Sequence, residues 1–160
     1  MIDLNASGQG LDGYDLLAAQ VQALFADERD FIANAAQFSA FLYNQVEDLN
    51  WAGFYINRNE ELVLGPFQGQ VACVRIPFSR GVCGAAAATR STQRVEDVHA
   101  FPGHIACDSA SNSELVIPLV KAGRLIGVLD LDSPKLARFG VADQAGIEQL
   151  AAIFLRLSDC

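Results

Sequence analysis

The stretch from residue 115 to residue 131 constrains the fold most. Two apolar runs, 115–120 and 124–131, flank Lys121-Ala122-Gly123. So short a link ending in glycine joins strands only as a hairpin, which makes the two runs antiparallel neighbours. Residues 51–57 and 61–65 repeat the arrangement around Arg58-Asn59-Glu60. Residues 71–78 read as a further strand, and Gln93-Arg94-Val95 as a short one. A chain with these hairpins builds an antiparallel sheet whose apolar faces need cover.

The cover comes from helices at both ends. Tyr14, Leu17, Val21, Leu24 and Phe25 recur at helical spacing. Phe31, Ala35, Phe38, Leu42, Val46 and Leu49 do so again, with Asn34, Gln37, Asn44 and Asp48 elsewhere around the wheel and Asn50 ending the run. A last helix starts near Val141 and presents Ile147, Leu150, Ala151 and Phe154. Between the strands, Gly81-Val82-Cys83-Gly84 leads into four alanines, which favours a short helix over residues 81–89. The expected architecture is α+β: a central antiparallel sheet with N- and C-terminal helices packed on one face. Residues 1–13 read as a flexible arm and 14–160 as a single domain, a usual size for one core.

Charge narrows the partners. The net charge is -8, so the surface repels phosphate backbones and nucleic acid is not an expected partner. No window holds the roughly 18 apolar residues of a membrane helix, and the first residues lack the basic and apolar parts of a signal peptide. These features point to a cytoplasmic protein whose four cysteines are thiols at rest. No C-x-x-C or H-x-x-x-H spacing occurs, so no zinc site is expected.

Chemistry-bearing residues concentrate in a long loop and at strand ends. Residues 96–113 carry little periodicity, and a loop of this length in a compact domain is usually functional. It holds Cys107, with His104 three residues earlier as a possible proton partner and Asp108 beside it opposing the thiolate. Cys83 lies where the alanine-rich helix begins, and unpaired N–H groups there would make it the most acidic thiol on local grounds. Cys73 stands at the opening of the strand expected over 71–78; Cys160 ends the chain without an assigned role. Asp130 and Asp132, two apart on one strand, share a face and can bind an ammonium or crowd a proton onto one carboxyl. Glu114 heads the neighbouring strand as a similar acid. Trp51 and Tyr55, four apart, share a face and suit a small pocket for a thioether or methyl group, or an aromatic core.

These pieces together resemble a known family. Gly65-Pro66-Phe67-Gln68-Gly69, Ala72-Cys73, Gly81-Val82-Cys83-Gly84, the run from Phe101 to Asp108 and Gly127-Val128-Leu129-Asp130-Leu131-Asp132-Ser133 are similar to free methionine-(R)-sulfoxide reductases, enzymes built on a GAF domain. The cysteine spacings of 10 and 24 residues match that pattern. The resemblance implies that Cys107 is the catalytic cysteine and Cys73 the resolving one that forms a disulfide with it. Cys83 would then be the third cysteine, in a supporting or alternative resolving role. Trp51 and Tyr55 would surround the substrate's methyl group, and Glu114, Asp130 and Asp132 would hold its amine and sulfoxide oxygen. It also implies free methionine sulfoxide as substrate, a thioredoxin-type reductant, no metal or organic cofactor, and a possible homodimer. Ser79 stands where the family usually has glycine, and Gly140 where it usually has a helix-capping Asp. The competing expectation is a GAF module that senses a small ligand or a redox change without turnover.

Overall fold

A computed structural model describes residues 11–104 and 110–160, the side chains of the first two excepted. The elements follow in the order α1 (Leu11–Leu24), α2 (Phe31–Gln45), β1 (Trp51–Asn57), β2 (Glu61–Gly69), β3 (Arg75–Pro77) and α3 (Gly81–Thr89). After these come β4 (Gln93–Val95), a 3-10 turn at Val98–Ala100, β5 (Ser113–Lys121), β6 (Arg124–Ser133) and α4 (Val141–Leu157). The strands form one antiparallel sheet in the order β3-β2-β1-β6-β5-β4. The chain is thus α+β with a GAF-like sheet. The first helix already begins at Leu11, and the rest of the arm expected over 1–13 lies outside the described residues.

Alternation along β1 divides the molecule. Ala52, Phe54 and Ile56 face one way into a core shared with α1, α2 and α4, while Trp51 and Tyr55 face the other way, toward α3. The first core is aromatic: Phe38 stacks on Phe154 with centroids 5.4 Å apart, and Phe54 lies 5.0 Å from Phe154. Gly146 of α4 lets α1 dock, because a Cβ there would stand 2.2 Å from the Tyr14 ring. The Tyr14 hydroxyl donates to Asp143 at 2.8 Å, and the other oxygen of Asp143 accepts from Gly140 N–H at 2.8 Å. Asp143 therefore satisfies the start of α4 where Gly140 has no side chain to do so.

Four local expectations change. Helix α2 stops at Gln45, because Val46 leaves helical dihedrals and Asp48 adopts a left-handed conformation (φ 61) to turn the chain into β1. Asn34 is buried on α2 and hydrogen-bonds Glu28 O and Ser158 Oγ, both at 3.0 Å. Strand β2 continues to Gly69, past the end expected at residue 65. Only Arg75–Pro77 of the strand expected over 71–78 pairs with the sheet, so Cys73 sits in a loop before β3. Val71 and Val74 are exposed there, so the apolar run is not a core strand. Ser79, in the position usually glycine, takes φ 66.

Candidate active site

The second face of the sheet carries a pocket. Register sets its floor: Trp51 pairs with Asp132, and Asp132 in turn with Glu114. Asp130 lies opposite Gly53 on one side and Val116 on the other. Side chains two apart on β6 and those across from them point the same way, so Trp51, Glu114, Asp130 and Asp132 all line one cleft. Tyr55 lines it as well, as do Val71 and Ala72 from the loop before β3, and Arg80 and Cys83 from the start of α3. The cleft measures about 550 Å³ with its open mouth.

The aromatic wall is both core and pocket lining. Trp51 stacks between Tyr55 (5.8 Å, 21°) and Phe67 (5.2 Å, 14°). Phe67 reaches Trp51 because β1 carries Gly53 opposite it; a Cβ at that glycine would lie 2.3 Å from Phe67 Cβ. Polar tips are tied down: Trp51 Nε1 donates to Gln70 O at 3.1 Å and the Tyr55 hydroxyl to Cys73 O at 2.9 Å. The wall therefore also anchors the loop that holds Cys73. Burial, together with the Asp130 charge, pushes the Tyr55 phenol well above its ordinary range, so it stays a donor.

Cys83, Glu114 and Asp130 meet at the bottom of the cleft. They are 4%, 8% and 5% exposed, and one ligand atom from each lies within 4.8 Å of the others. Cys83 Sγ donates to Glu114 Oε1 at 3.8 Å. Among the described residues no ion pair reaches either carboxyl. Burial, reinforced by the neighbouring acids, drives Glu114 well above the ordinary carboxyl range, and burial lifts Asp130 from 3.8 to about 6. At neutral pH burial and mutual repulsion thus keep a proton on the pair, which titrates as a unit.

The same surroundings overturn the expectation for Cys83. It does lie in the first turn of α3, but burial and the charges of Asp130 and Glu114 raise its thiol well above the usual value. Desolvation and two acids outweigh one helix end, whose influence is at most about 2 kcal/mol. Cys83 is a buried neutral donor rather than the most acidic thiol. Cys83 and Cys160 are free, whereas Cys73 is disulfide-bonded. Cys107 and Asp108 lie outside the described residues. His104, at the edge of that segment, lines the cleft, and burial with His99 nearby lowers its pKa, keeping it neutral. Phe67, Arg80 and Ser111 received no role from sequence. Phe67 was detectable only through Gly53 opposite it, and the other two reach the cleft by tertiary folding.

This fold and this cleft define a GAF domain, and the chain belongs to that family: the GAF domain model matches residues 32–154. Within it the chain belongs with the free methionine-R-sulfoxide reductases. It is 55% identical over 139 residues to the free methionine-R-sulfoxide reductase of Escherichia coli, spanning 87% of this chain and 84% of that protein. It is 54% identical over 147 residues to Protein YtsP of Bacillus subtilis, spanning 91% and 90%. The solved structure of free methionine-R-sulfoxide reductase from Neisseria meningitidis in complex with its substrate superposes with a TM-score of 0.90 at 45% identity, covering 95% of this chain and 92% of that one.

Proposed function

We propose that this protein reduces free methionine-R-sulfoxide to methionine by thiol chemistry centred on Cys107. The observation that carries the reading is the buried Glu114–Asp130–Cys83 group beneath a Trp51–Tyr55 wall, at the bottom of an open cleft. The aromatic faces suit the S-methyl group. Asp130 and Asp132 suit the ammonium, which only a free amino acid carries. Arg80 and the positive end of α3 suit the carboxylate.

The chemistry follows from these roles. The Cys107 thiolate attacks the sulfoxide sulfur while Glu114 gives its proton to the oxygen. Methionine leaves and Cys107 becomes a sulfenic acid. The Cys73 thiol then attacks the Cys107 sulfur, expelling water and leaving a disulfide. A thioredoxin-type dithiol restores both thiols by exchange and is itself oxidised. Two features support Cys73 as the resolving thiol: it is disulfide-bonded while Cys83 and Cys160 are free, and it occupies a loop rather than a strand. Cys83, buried and hydrogen-bonded to Glu114, supports the acid instead of resolving. The sequence requires no metal or organic cofactor in any step.

Among the described residues no helix is long and apolar enough to cross a membrane. A cytoplasmic location suits a Cys73 disulfide that a thioredoxin-type dithiol returns to thiols after each turnover, and a homodimer is proposed on family resemblance. The test incubates the protein with separated R and S diastereomers and thioredoxin, following methionine. Selective loss of the R form, abolished in Cys107→Ser, supports the reading. Absence of turnover would return the chain to the sensor alternative.

A further inference from the structure

We propose that Cys83, Glu114 and Asp130 form a binding site for a thiophilic divalent cation of the zinc class, and that such a cation closes the cleft to its substrate. The second half rests on the function proposed above; the first does not. The expectation of no zinc site was drawn from missing Cys and His spacings. Here the donors come from three separate elements, α3, β5 and β6, and leave no spacing to find.

Geometry supplies the first argument. A zinc ion binds thiolate sulfur at about 2.3 Å and carboxylate oxygen at about 2.0–2.2 Å in tetrahedral arrangement, so sulfur and oxygen stand roughly 3.5–3.7 Å apart and two oxygens roughly 3.3–3.6 Å. Cys83 Sγ and Glu114 Oε1 are 3.8 Å apart, and all three donors fall within 4.8 Å of each other. Strand pairing and the start of α3 hold them, so little chain ordering is needed on binding. Three protein ligands leave a fourth position, and because all three residues line the cleft, water or a small molecule there can complete the shell.

An orphaned atom supplies the second. Asp130 Oδ1 is buried and accepts no hydrogen bond, in a residue only 5% exposed. A buried carboxylate oxygen without a partner is costly. The carboxyl also hydrogen-bonds Glu114 and Cys83, and a cation among the three groups would take the place of those bonds and of the protons they share. The mixed donor set also selects the metal. One sulfur with two carboxylates suits zinc, cobalt(II) or cadmium, whereas magnesium and calcium require oxygen alone. Once bound, the cation holds the oxygens that would pair with the substrate's ammonium and removes the Glu114 proton, so it competes with substrate.

The test uses the full chain as Cys160→Ser, oxidised until denaturing thiol titration finds one thiol. Cobalt(II) is added without substrate, and near-ultraviolet thiolate-to-metal charge transfer is recorded. A saturable band at one equivalent is expected, lost in Cys83→Ser and in Glu114→Gln, and displaced by zinc but not by magnesium. X-ray absorption of the zinc-loaded protein gives a check that needs no further variant: one sulfur at about 2.3 Å with oxygen ligands is expected. No band, a band surviving either substitution, or a zinc shell lacking sulfur overturns the site. In the reduced enzyme, zinc should raise the KM for free methionine sulfoxide with kcat unchanged; inhibition by loss of kcat alone overturns the competition. A cobalt band in a protein that turns over no methionine sulfoxide would retain the metal site and discard the proposed function.

Discussion

Replacing Asp130 with asparagine should make the folded protein more stable at neutral pH, while damaging its chemistry. Burial lifts this carboxyl from 3.8 to about 6. A group raised in the folded state binds its proton more tightly there than in the unfolded chain. Its stability contribution is therefore full below about pH 4 and is lost as pH rises through about 6. A shift near 2 units corresponds to about 3 kcal/mol, at 1.36 kcal/mol per unit. Asparagine keeps the shape and does not titrate, so the difference between variant and wild type carries the titration of this carboxyl. Removing the charge also eases Glu114 and Cys83, both of which it pushes upward, so the figure is a floor. Urea unfolding at pH 4.5, 6 and 7.5, with the disulfide state fixed, should show Asp130→Asn gaining about 2 kcal/mol on wild type across the series and reaching about 3 kcal/mol at pH 7.5. At pH 7.5 that amounts to roughly 6–12 °C in Tm for a domain of this size. A difference that is flat with pH, or that moves toward wild type, would refute the account of a strained acid pair.

Tyr55→Phe removes the hydroxyl that holds Cys73 O at 2.9 Å. It should cost about 1 kcal/mol in denaturant unfolding and slow disulfide formation in stopped-flow traces. Gly146→Ala improves helix propensity by about 1 kcal/mol yet should destabilise by about 1–3 kcal/mol, because the new methyl meets the Tyr14 ring. Hydrogen exchange should localise that loss to α1, and an unchanged or higher stability would contradict the packing. Cys73→Ser should still release one methionine per chain, leaving a sulfenic acid that dimedone labels on Cys107. Thioredoxin-dependent turnover should disappear in that variant.

Much of the fold was legible because its signals are local. The Lys121-Ala122-Gly123 turn fixes one hairpin, and Gly81 with the alanine run fixes α3 at residues 81–89. Gly140-Val141 marks the start of α4 as expected. The run at 71–78 misled because its valines read like a strand, although Val71 and Val74 are both exposed. The acids were legible as a set, since Asp130 and Asp132 share a strand face. Their depth was not, because covering Glu114 and Asp130 depends on α3 folding across the sheet. Cys83 illustrates the limit of local reasoning: the helix start is real, but residues 31 and 47 positions later decide its protonation.

The most direct measurement compares kcat/KM for free L-methionine-R-sulfoxide with that for its N-acetyl derivative. The two share sulfur chemistry and differ in the ammonium that Asp130 and Asp132 are proposed to hold. Leaving buried Asp130 and half-buried Asp132 without their partner should cost about 4 kcal/mol, so the free amino acid is expected to be preferred by about 10³-fold. Comparable values for the two substrates would contradict the claim that this cleft reads a free amino acid.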